Sequence, residues 1–344
     1  MAKSPSAKEK QPKRTKTSPL SRLKEEGFGC AAWTFSREEE LELLLEMYED
    51  VGALEALNVE RGVVKAMLAE LASLYVDVPY HCWSHGVDVT IAAYLFATKL
   101  GSQALLSRLE LALYITAAIC HDVGHPGLNS AYHRLAKSEL QQRHGDDAML
   151  EKHHVATMRA TLAKPENDVL SGLGSDAARA EALGVMEYMI LGTDMAAHTA
   201  CDDEFEGLLA GGFGEPGWAG GCVGALGNNR LVLLRMLLKA ADLGNCGKPF
   251  VGAKHWADCL VREGEFQRAK EAEAGVATAP AMQLTWENEA AKQAWFLENM
   301  VVPMFELLGR AAPGMQAFVE MLRGVVAIWK QMEAEAAVKE AAKP

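Results

Sequence analysis

The sequence predicts an all-α protein, and three observations support that prediction. Apolar residues recur with a period near 3.6 residues from about Glu38 to the end of the chain. Few segments alternate polar and apolar residues with period two, which is the pattern of a half-buried strand. Apolar residues make up 49% of the 344 positions, which is enough for a large core. One compact multi-helix domain over residues 30–335 is the simplest organisation.

The predicted helices follow each other along the chain. The first opens an apolar face with Leu41 and Leu44 among acidic residues, and the second repeats Val64 and Leu68 at helical spacing. Apolar residues at such positions share one side of a helix, so each helix can bury that side. Further periodic segments cover residues 104–120, 148–163, 177–195, 229–242, 251–272, 285–309 and 313–340.

Three segments depart from this pattern. Residues 1–25 are rich in Lys, Ser and Pro and poor in large apolar residues, so we expect a disordered basic N-terminal arm. Residues 207–227 contain nine glycines and a proline, which predicts a long surface loop. Residues 336–344 favour helix but have little to pack against, so we expect a frayed C-terminal tail.

Charge and cysteine usage limit the function classes. The formal net charge of −12 argues against a nucleic-acid binder. The seven cysteines form no CxxC pair, which indicates reduced thiols and a cytoplasmic location. No apolar run is long enough to span a membrane. The basic run KQPKRTK at residues 10–16 leaves nuclear targeting as a weaker alternative.

The densest group of chemically active side chains is the run CHDVGHPGLN at residues 120–129. An apolar helix leads into it, and Gly124 and Gly127 end regular structure. His121, Asp122 and His125 offer imidazole nitrogens and a carboxylate together. A carboxylate can bridge two cations, which a single histidine cannot. This run therefore predicts a metal site.

Three other motifs carry similar residue types. In YHCWSHGVDV (80–89), His81 and His85 are four residues apart, which predicts that they share one helical face. In LKAADLGN (238–245), Asp242 follows an apolar helix, and a buried carboxylate needs a partner such as a metal. In LEKHH (150–154), Glu151 and His154 fall on one helical turn. Taken together, these motifs predict a two-metal hydrolase.

In order and spacing, the motifs resemble those of the class I 3′,5′-cyclic nucleotide phosphodiesterase catalytic domain of the HD superfamily. The sequence adds TDMAAH at residues 193–198 and QAWF at 293–296, followed by Pro303. The resemblance covers roughly residues 75–305. It implies an all-α HD-type fold and hydrolysis of cAMP, cGMP or both to the 5′-monophosphate. The implied nucleophile is a hydroxide that bridges two metals.

The resemblance also implies residue roles and cofactors. His81 is the implied general acid, and Asp242 also orients the nucleophile. The implied metals are Zn²⁺ at the tighter site and Mg²⁺ at the second, with Mn²⁺ as a substitute. The implied metal ligands are His85, His121, Asp122 and Asp242. The implied water shell of the second metal is His125, Glu151, His154 and Thr193. The implied substrate contacts are Tyr80, Asn245, Gln293 and Phe296.

Alternatives stay open at this point. Another HD-type nucleotide phosphohydrolase would share the metal motifs without needing Gln293 or Phe296. An inactive cyclic-nucleotide-binding scaffold is a second alternative. A zincin-like peptidase is less well supported, because HDVGH only mimics the HExxH spacing. Trp295 stands where the family usually has a small residue, so we expect it either to narrow the pocket or to point into the core. The oligomeric state and the choice between cAMP and cGMP are not predicted.

Overall fold

A computed structural model describes residues 18–211, 213, 228–279 and 283–341 of the chain. Within these ranges the chain forms helices and no strand, which confirms the predicted all-α fold. The helices are α1 Pro19–Glu26, α2 Arg37–Asp50, α3 Ala53–Leu57, α4 Arg61–Leu74, α5 Trp83–Thr98, α6 Arg108–Cys120, α7 Ser130–Ala136, α8 Glu139–His144, α9 Met149–Leu162, α10 Asp176–Leu191, α11 His198–Ala210, α12 Asn228–Asp242, α13 Phe250–Ala274, α14 Glu289–Phe296, α15 Val302–Ala311 and α16 Gln316–Ala341.

The centre of the fold is formed by α5 and α6. Nearly every residue of both helices is buried, so they are apolar on all sides rather than on one stripe. α12 packs against both, α10 packs against α6, and α14 and α15 pack against α16 at the C-terminal side. Three of the four metal-type motifs begin or end on α5, α6 or α12, which places the site inside the fold.

A buried ion pair fixes α12 against α6. Glu110 forms a capping box with Ser107 at the start of α6 and also binds the guanidinium of Arg230 near the start of α12. Asp122 lies twelve residues after Glu110, and Asp242 lies twelve residues after Arg230. At 1.5 Å per residue, both carboxylates are carried roughly 18 Å from the ion pair. The pairing at one end therefore aligns the two aspartates at the other.

Two predicted segment boundaries are wrong. Helix α1 occupies residues expected in the disordered arm, because Leu23 is buried and the Leu20 amide donates to Glu46 Oε2 at 2.7 Å. Helix α11 continues to Ala210, so residues 207–210 are helical instead of part of the glycine-rich loop. Residues 1–17 and most of that loop, 212 and 214–227, lie outside the described residues.

The last helix is longer than the predicted domain. α16 runs without a break to Ala341, past the expected boundary at residue 335, and the remainder of the predicted tail, 342–344, lies outside the described residues. None of the helices in the described ranges combines the length and the apolar character needed to cross a bilayer.

Phe318 of α16 holds the C-terminal helices against the centre, and its removal tests this packing. Its ring lies 4.8–5.0 Å from those of Phe28, Phe96 and Phe305. Phe318→Ala should lower the free energy of unfolding by about 3–5 kcal/mol, because it leaves a cavity. Urea denaturation measures this. Val338→Ala on the same helix is the control, since Val338 is 69% exposed, and should stay within about 0.5 kcal/mol. A loss below about 1 kcal/mol for Phe318→Ala would contradict the packing.

Candidate active site

The loop after α6 bends sharply at two glycines. Gly124 and Gly127 have φ of 81° and 72°, a region that favours glycine. A Cβ on Gly127 would lie 2.8 Å from Cγ1 of Val78. Asn129 then caps α7 by accepting the Tyr132 amide at 2.9 Å. Regular structure is interrupted here as predicted, but α6 already ends at Cys120, four residues before Gly124, and the next helix begins at Ser130.

The expected common helical face of His81 and His85 is wrong. α5 begins at Trp83, so His85 lies in its first turn while His81 lies in the segment before it. The two rings are nevertheless only 5.9 Å apart and nearly perpendicular. The two histidines are close because the chain turns just before α5. The His81 ring therefore has a different orientation from the one that a helix would impose.

Four donor atoms converge at the predicted metal site. Nε2 of His85 lies 3.4 Å from Asp122 Oδ2 and 3.3 Å from Asp242 Oδ1. Nε2 of His121 lies 3.1 Å from Asp122 Oδ2 and 3.3 Å from Asp242 Oδ1. Donors bound to one zinc-like ion at about 2.0–2.2 Å lie roughly 3–3.5 Å from each other. The four side chains therefore have the spacing that a shared cation requires.

The hydrogen bonding of the histidines fits the same reading. His121 donates from Nδ1 to the Ala118 carbonyl at 2.8 Å, which leaves Nε2 as the lone-pair atom facing the cluster. Nε2 of His121 and both ring nitrogens of His85 are buried without a hydrogen-bond partner among the described residues. Buried polar atoms are rarely left unsatisfied, so a cation is the expected partner.

Charge is strongly coupled within this cluster. Burial opposes ionisation of Asp122 and Asp242, but a protonated His121, whose Nε2 proton takes the place that a cation would occupy, outweighs it and holds the pKa of both carboxyl groups well below the usual range. Both aspartates are therefore anionic at neutral pH, which is the state that binds a cation.

The second oxygen of Asp122 faces a different group of side chains. Oδ1 lies 3.6 Å from Nε2 of His154, whose Nδ1 donates to the Val123 carbonyl. His125, Glu151 and Thr193 line the same cavity. Burial lowers the pKa of His154 to about 4 and raises that of Glu151 to about 7. One oxygen of Asp122 thus faces the four-donor cluster and the other faces these side chains, as in a carboxylate that bridges two metals.

Glu263 binds His81 and was not predicted from the sequence. Its Oε2 accepts the backbone amides of Tyr80 and His81 at 2.9 and 3.0 Å, and its Oε1 bonds to Nδ1 of His81. Burial favours neutral His81, but this carboxylate outweighs it and raises the pKa of His81 to about 9. The His81 ring stacks on His125 with centroids 3.9 Å apart. His81 is thereby held as a protonated, oriented imidazolium.

Two cavities meet at His81 and Asp242. The larger, of about 490 Å³, contains the polar groups around Asp122 and is bordered by Glu263. The smaller, of about 180 Å³, is mainly apolar and includes Gln293 and Phe296 in its wall. Met195 also borders both. The larger, charged cavity therefore adjoins the smaller, mainly apolar cavity.

The predicted substrate contacts all line the smaller cavity. Tyr80 and Asn245 are joined there by a hydrogen bond of 2.7 Å from the Asn245 amide to the Tyr80 hydroxyl. Trp295 takes neither of its expected positions: its side chain is 60% exposed and is absent from the cavity wall. It lies on the exposed side of α14, whereas its neighbour Ala294 is buried.

Sequence reasoning missed several wall residues besides Glu263. Trp256 and Leu260 precede Glu263 on α13 at helical spacing, so a carboxylate within an apolar face was an available signal. Trp329 comes from α16, and Met195 from the TDM motif. Trp329 carries no local signal, because only packing of the C-terminal helix brings it to the pocket.

Comparison with known proteins agrees with this geometry. The profile of the family described as 3′5′-cyclic nucleotide phosphodiesterase matches residues 80–322. That range is more than half of the chain and includes every motif described above.

The chain belongs to the 3′,5′-cyclic nucleotide phosphodiesterase family.

Relatives and solved structures in this phosphodiesterase family match most of the chain. The mouse high affinity cGMP-specific 3′,5′-cyclic phosphodiesterase 9A is 30% identical over 282 residues, which cover 82% of this chain and 51% of that protein. The chain thus spans about half the length of that relative. A Dictyostelium discoideum cGMP-specific 3′,5′-cGMP phosphodiesterase 3 is 26% identical, covering 87% of this chain and 62% of that protein.

A solved structure of the phosphodiesterase domain of the RhoPDE fusion protein from the choanoflagellate Salpingoeca rosetta superposes with a TM-score of 0.82. It is 27% identical in sequence, and the match covers 91% of this chain and 96% of that domain. The all-α phosphodiesterase fold is therefore confirmed, and membership of the family implies divalent metals at the His/Asp cluster.

Substitution of one cluster histidine tests the metal site. His121→Ala should lose most of the tightly bound divalent metal, because it removes one of four converging donors. Elemental analysis of purified, dialysed protein measures the metal content. His81→Ala is the matched control, since His81 borders the cavity without belonging to the four-atom cluster. Equal metal loss in both variants would contradict the assignment and would make His81 a ligand.

Proposed function

We propose that the chain hydrolyses a 3′,5′-cyclic purine nucleotide, cAMP or cGMP, to the 5′-monophosphate. One observation carries the proposal: the four-donor cluster and the His81–Glu263 pair open into a charged cavity that adjoins a mainly apolar cavity lined by Gln293 and Phe296. A cyclic phosphate in the first and a base in the second would place the scissile bond beside His81.

The donor types support the proposed metals. Two imidazoles and two carboxylates, His85, His121, Asp122 and Asp242, suit Zn²⁺. Mg²⁺ prefers oxygen ligands and keeps several waters, which suits Asp122 Oδ1. Mn²⁺ takes similar ligands. When bound, the two cations supply an activated water and neutralise charge on the phosphate.

The polar side chains around Asp122 Oδ1 support a hydrated second site. We propose that they hold water molecules around the second cation. His125 accepts the Gly127 amide at Nδ1, at 3.0 Å, which leaves Nε2 as its donor toward the cavity. Glu151 has one carboxylate oxygen buried without a hydrogen-bond partner among the described residues, so a water molecule there would satisfy it. The proposed shell comprises His125, Glu151, His154 and Thr193.

The chain's own residues account for proton transfer. Cleavage of the cyclic phosphate releases an alkoxide at O3′, which needs a proton. Protonated His81 can donate one, because Glu263 binds Nδ1 and leaves Nε2 as the second N–H. Asp242 borders the same junction of the two cavities and can orient the attacking water. His81 is the proposed general acid, and Glu263 its positioning partner.

The smaller cavity supports recognition of a purine. Phe296 offers a ring face for stacking, and the Gln293 amide can both donate and accept hydrogen bonds, which suits the edge of either purine. Tyr80 and Asn245 form the polar side of the pocket. We propose cGMP as the first substrate to test, since the mouse and Dictyostelium relatives carry cGMP-specific names.

We propose a cytoplasmic location as well. The six described cysteines are all free thiols, which supports a reducing compartment. The cyclic nucleotide is the proposed partner, and the net charge of −12 supports the absence of a nucleic-acid partner.

Turnover of the cyclic nucleotides tests the proposed function. Protein supplied with Zn²⁺ and Mg²⁺ should convert cGMP or cAMP to the 5′-monophosphate, measured by chromatography. Gln293→Ala should raise KM about tenfold or more, because a buried base edge loses its hydrogen bonds. Trp295→Ala is the control and should leave KM unchanged. Binding of either nucleotide without turnover would instead support an inactive scaffold, and turnover with an unchanged KM for Gln293→Ala would favour another HD-type phosphohydrolase.

The pH profile tests the His81–Glu263 pair. Because His81 must be protonated to donate, activity should fall as pH rises through the pKa of His81. Glu263→Gln removes the carboxylate that raises this pKa, so the alkaline fall should move roughly 1–2 pH units toward acid. Rates of hydrolysis from pH 6 to pH 10, at constant metal concentration, measure the shift. Glu265→Gln on the same helix, whose partner is Trp286, should leave the profile unchanged. An unshifted profile for Glu263→Gln would refute the role of Glu263.

A further inference from the structure

Lys239 is a fully buried lysine at the back of the active site. It lies on α12, three residues before Asp242, and its side chain has no exposed surface. Its Nζ lies 3.3, 3.4 and 3.2 Å from the carbonyl oxygens of Gly192, Thr193 and Asp194. An ammonium group has three donors, and here all three face consecutive carbonyl groups. A buried charge held in this way fixes the backbone that it binds.

The three carbonyls lie immediately after the end of α10. The last carbonyls of a helix have no partner within it, and the helix dipole places partial negative charge there. The amides of Gly192 and Thr193 bond to the last carbonyls of α10, and Lys239 supplies donors to the three carbonyls that follow, together with a positive charge at that point. Residues 192–194 are therefore tied to α12 rather than left as a free connection to α11.

The segment bound by Lys239 forms the wall between the two cavities. Thr193 lines the charged cavity, while Met195 borders both cavities and has its Sδ 3.7 Å from Lys239 Nζ. Asp242, on the same helix as Lys239, borders both cavities too. One buried side chain thus connects the wall to the helix that carries a proposed metal ligand.

A second contact of α12 secures the end of α10 by another route. Arg235, one turn before Lys239, donates to the Tyr188 hydroxyl at 2.9 Å and pairs with Glu204. Its side chain covers Gly192 so closely that a Cβ there would lie 2.1 Å from Arg235 Cγ. Arg235 holds the helices themselves, whereas Lys239 binds the segment that reaches the cavities.

We propose that Lys239 is a positioning residue for the substrate. It fixes residues 192–195 so that Met195 closes the wall between the larger, charged cavity and the smaller, apolar cavity at a set distance from Asp242. This rests on the proposed function. Because the four cluster donors are untouched by it, Lys239 acts on the fit of the nucleotide and leaves the tight metal in place.

Lys239→Met tests the proposal, because it keeps a long unbranched side chain and removes the three donors. KM should rise about fivefold to thirtyfold, because the nucleotide loses contacts with residues 192–195 when this segment is displaced. The tightly bound metal should be retained, because its four proposed donors lie outside the anchored segment. Hydrogen exchange at residues 193–197, recorded without nucleotide, should accelerate at the amides of Thr193, Ala196 and Ala197, because the first bonds back to Ile190 and the other two bond to Asp194 within the anchored segment.

Lys248→Met is the matched control. Lys248 is also buried and bonds to the Cys30 carbonyl at 2.8 Å and to Asp88 at 2.6 Å, but it borders neither cavity. It should lower the unfolding temperature without altering KM or exchange at residues 193–197. A second variant, Met195→Ala, keeps Lys239 and removes the wall side chain, so it should raise KM even if Lys239→Met fails to fold.

Three results would overturn the proposal: unchanged exchange at residues 193–197 in Lys239→Met, an equal rise of KM in Lys248→Met, or an unchanged KM in Met195→Ala. The exchange measurement needs no substrate. It therefore reports on Lys239 even if the unaltered protein hydrolyses neither cAMP nor cGMP, an outcome that would refute the proposed activity while leaving the anchoring itself measurable.

Discussion

The structure depends on holding two buried carboxylates, Asp122 and Asp242, against the same two histidines. Like charges at this separation repel, and burial raises the cost of each charge. The arrangement needs rigid helices to impose it and a cation to complete it. The Glu110–Arg230 pair supplies part of that rigidity, because it aligns α6 and α12 twelve residues before each aspartate. The surrounding helices bury α6 and α12 and keep their relative positions fixed.

The polar groups next to this cluster, His81 and Glu263, form a pair in which His81 carries a positive charge. His81 lies outside α5, so its ring can face the junction of the cavities instead of the cluster. Glu263 keeps it protonated from the opposite helix, α13. The cluster thus collects anionic and neutral donors, while His81, the proposed proton donor next to it, is cationic. Separating these states within a few ångströms requires different partners for each histidine, and the structure provides them.

The walls of the cavities come from distant parts of the chain. α13 contributes Glu263 and Trp256, α14 contributes Gln293 and Phe296, and α16 contributes Trp329. A π-helical turn at Leu297–Val301 follows Phe296 directly, a feature often found at functional sites. Met195, next to the carbonyl groups that Lys239 binds, completes the border between the two cavities. The proposed base pocket is therefore formed by packing of the C-terminal helices, whereas the four-donor His/Asp cluster is formed by the central helices.

The sequence by itself determined the helical class, the approximate extent of most helices and the four cluster residues, because helical periodicity and the identity of ligating side chains are local properties. Only the tertiary structure decided that His81 precedes its helix, that Trp295 faces outward, and that Glu263, Trp329 and Lys239 reach the site. Their positions depend on how distant helices pack, and no local pattern carries that information. The short helix α1 was missed for the same reason: Leu23 becomes buried only against the rest of the fold.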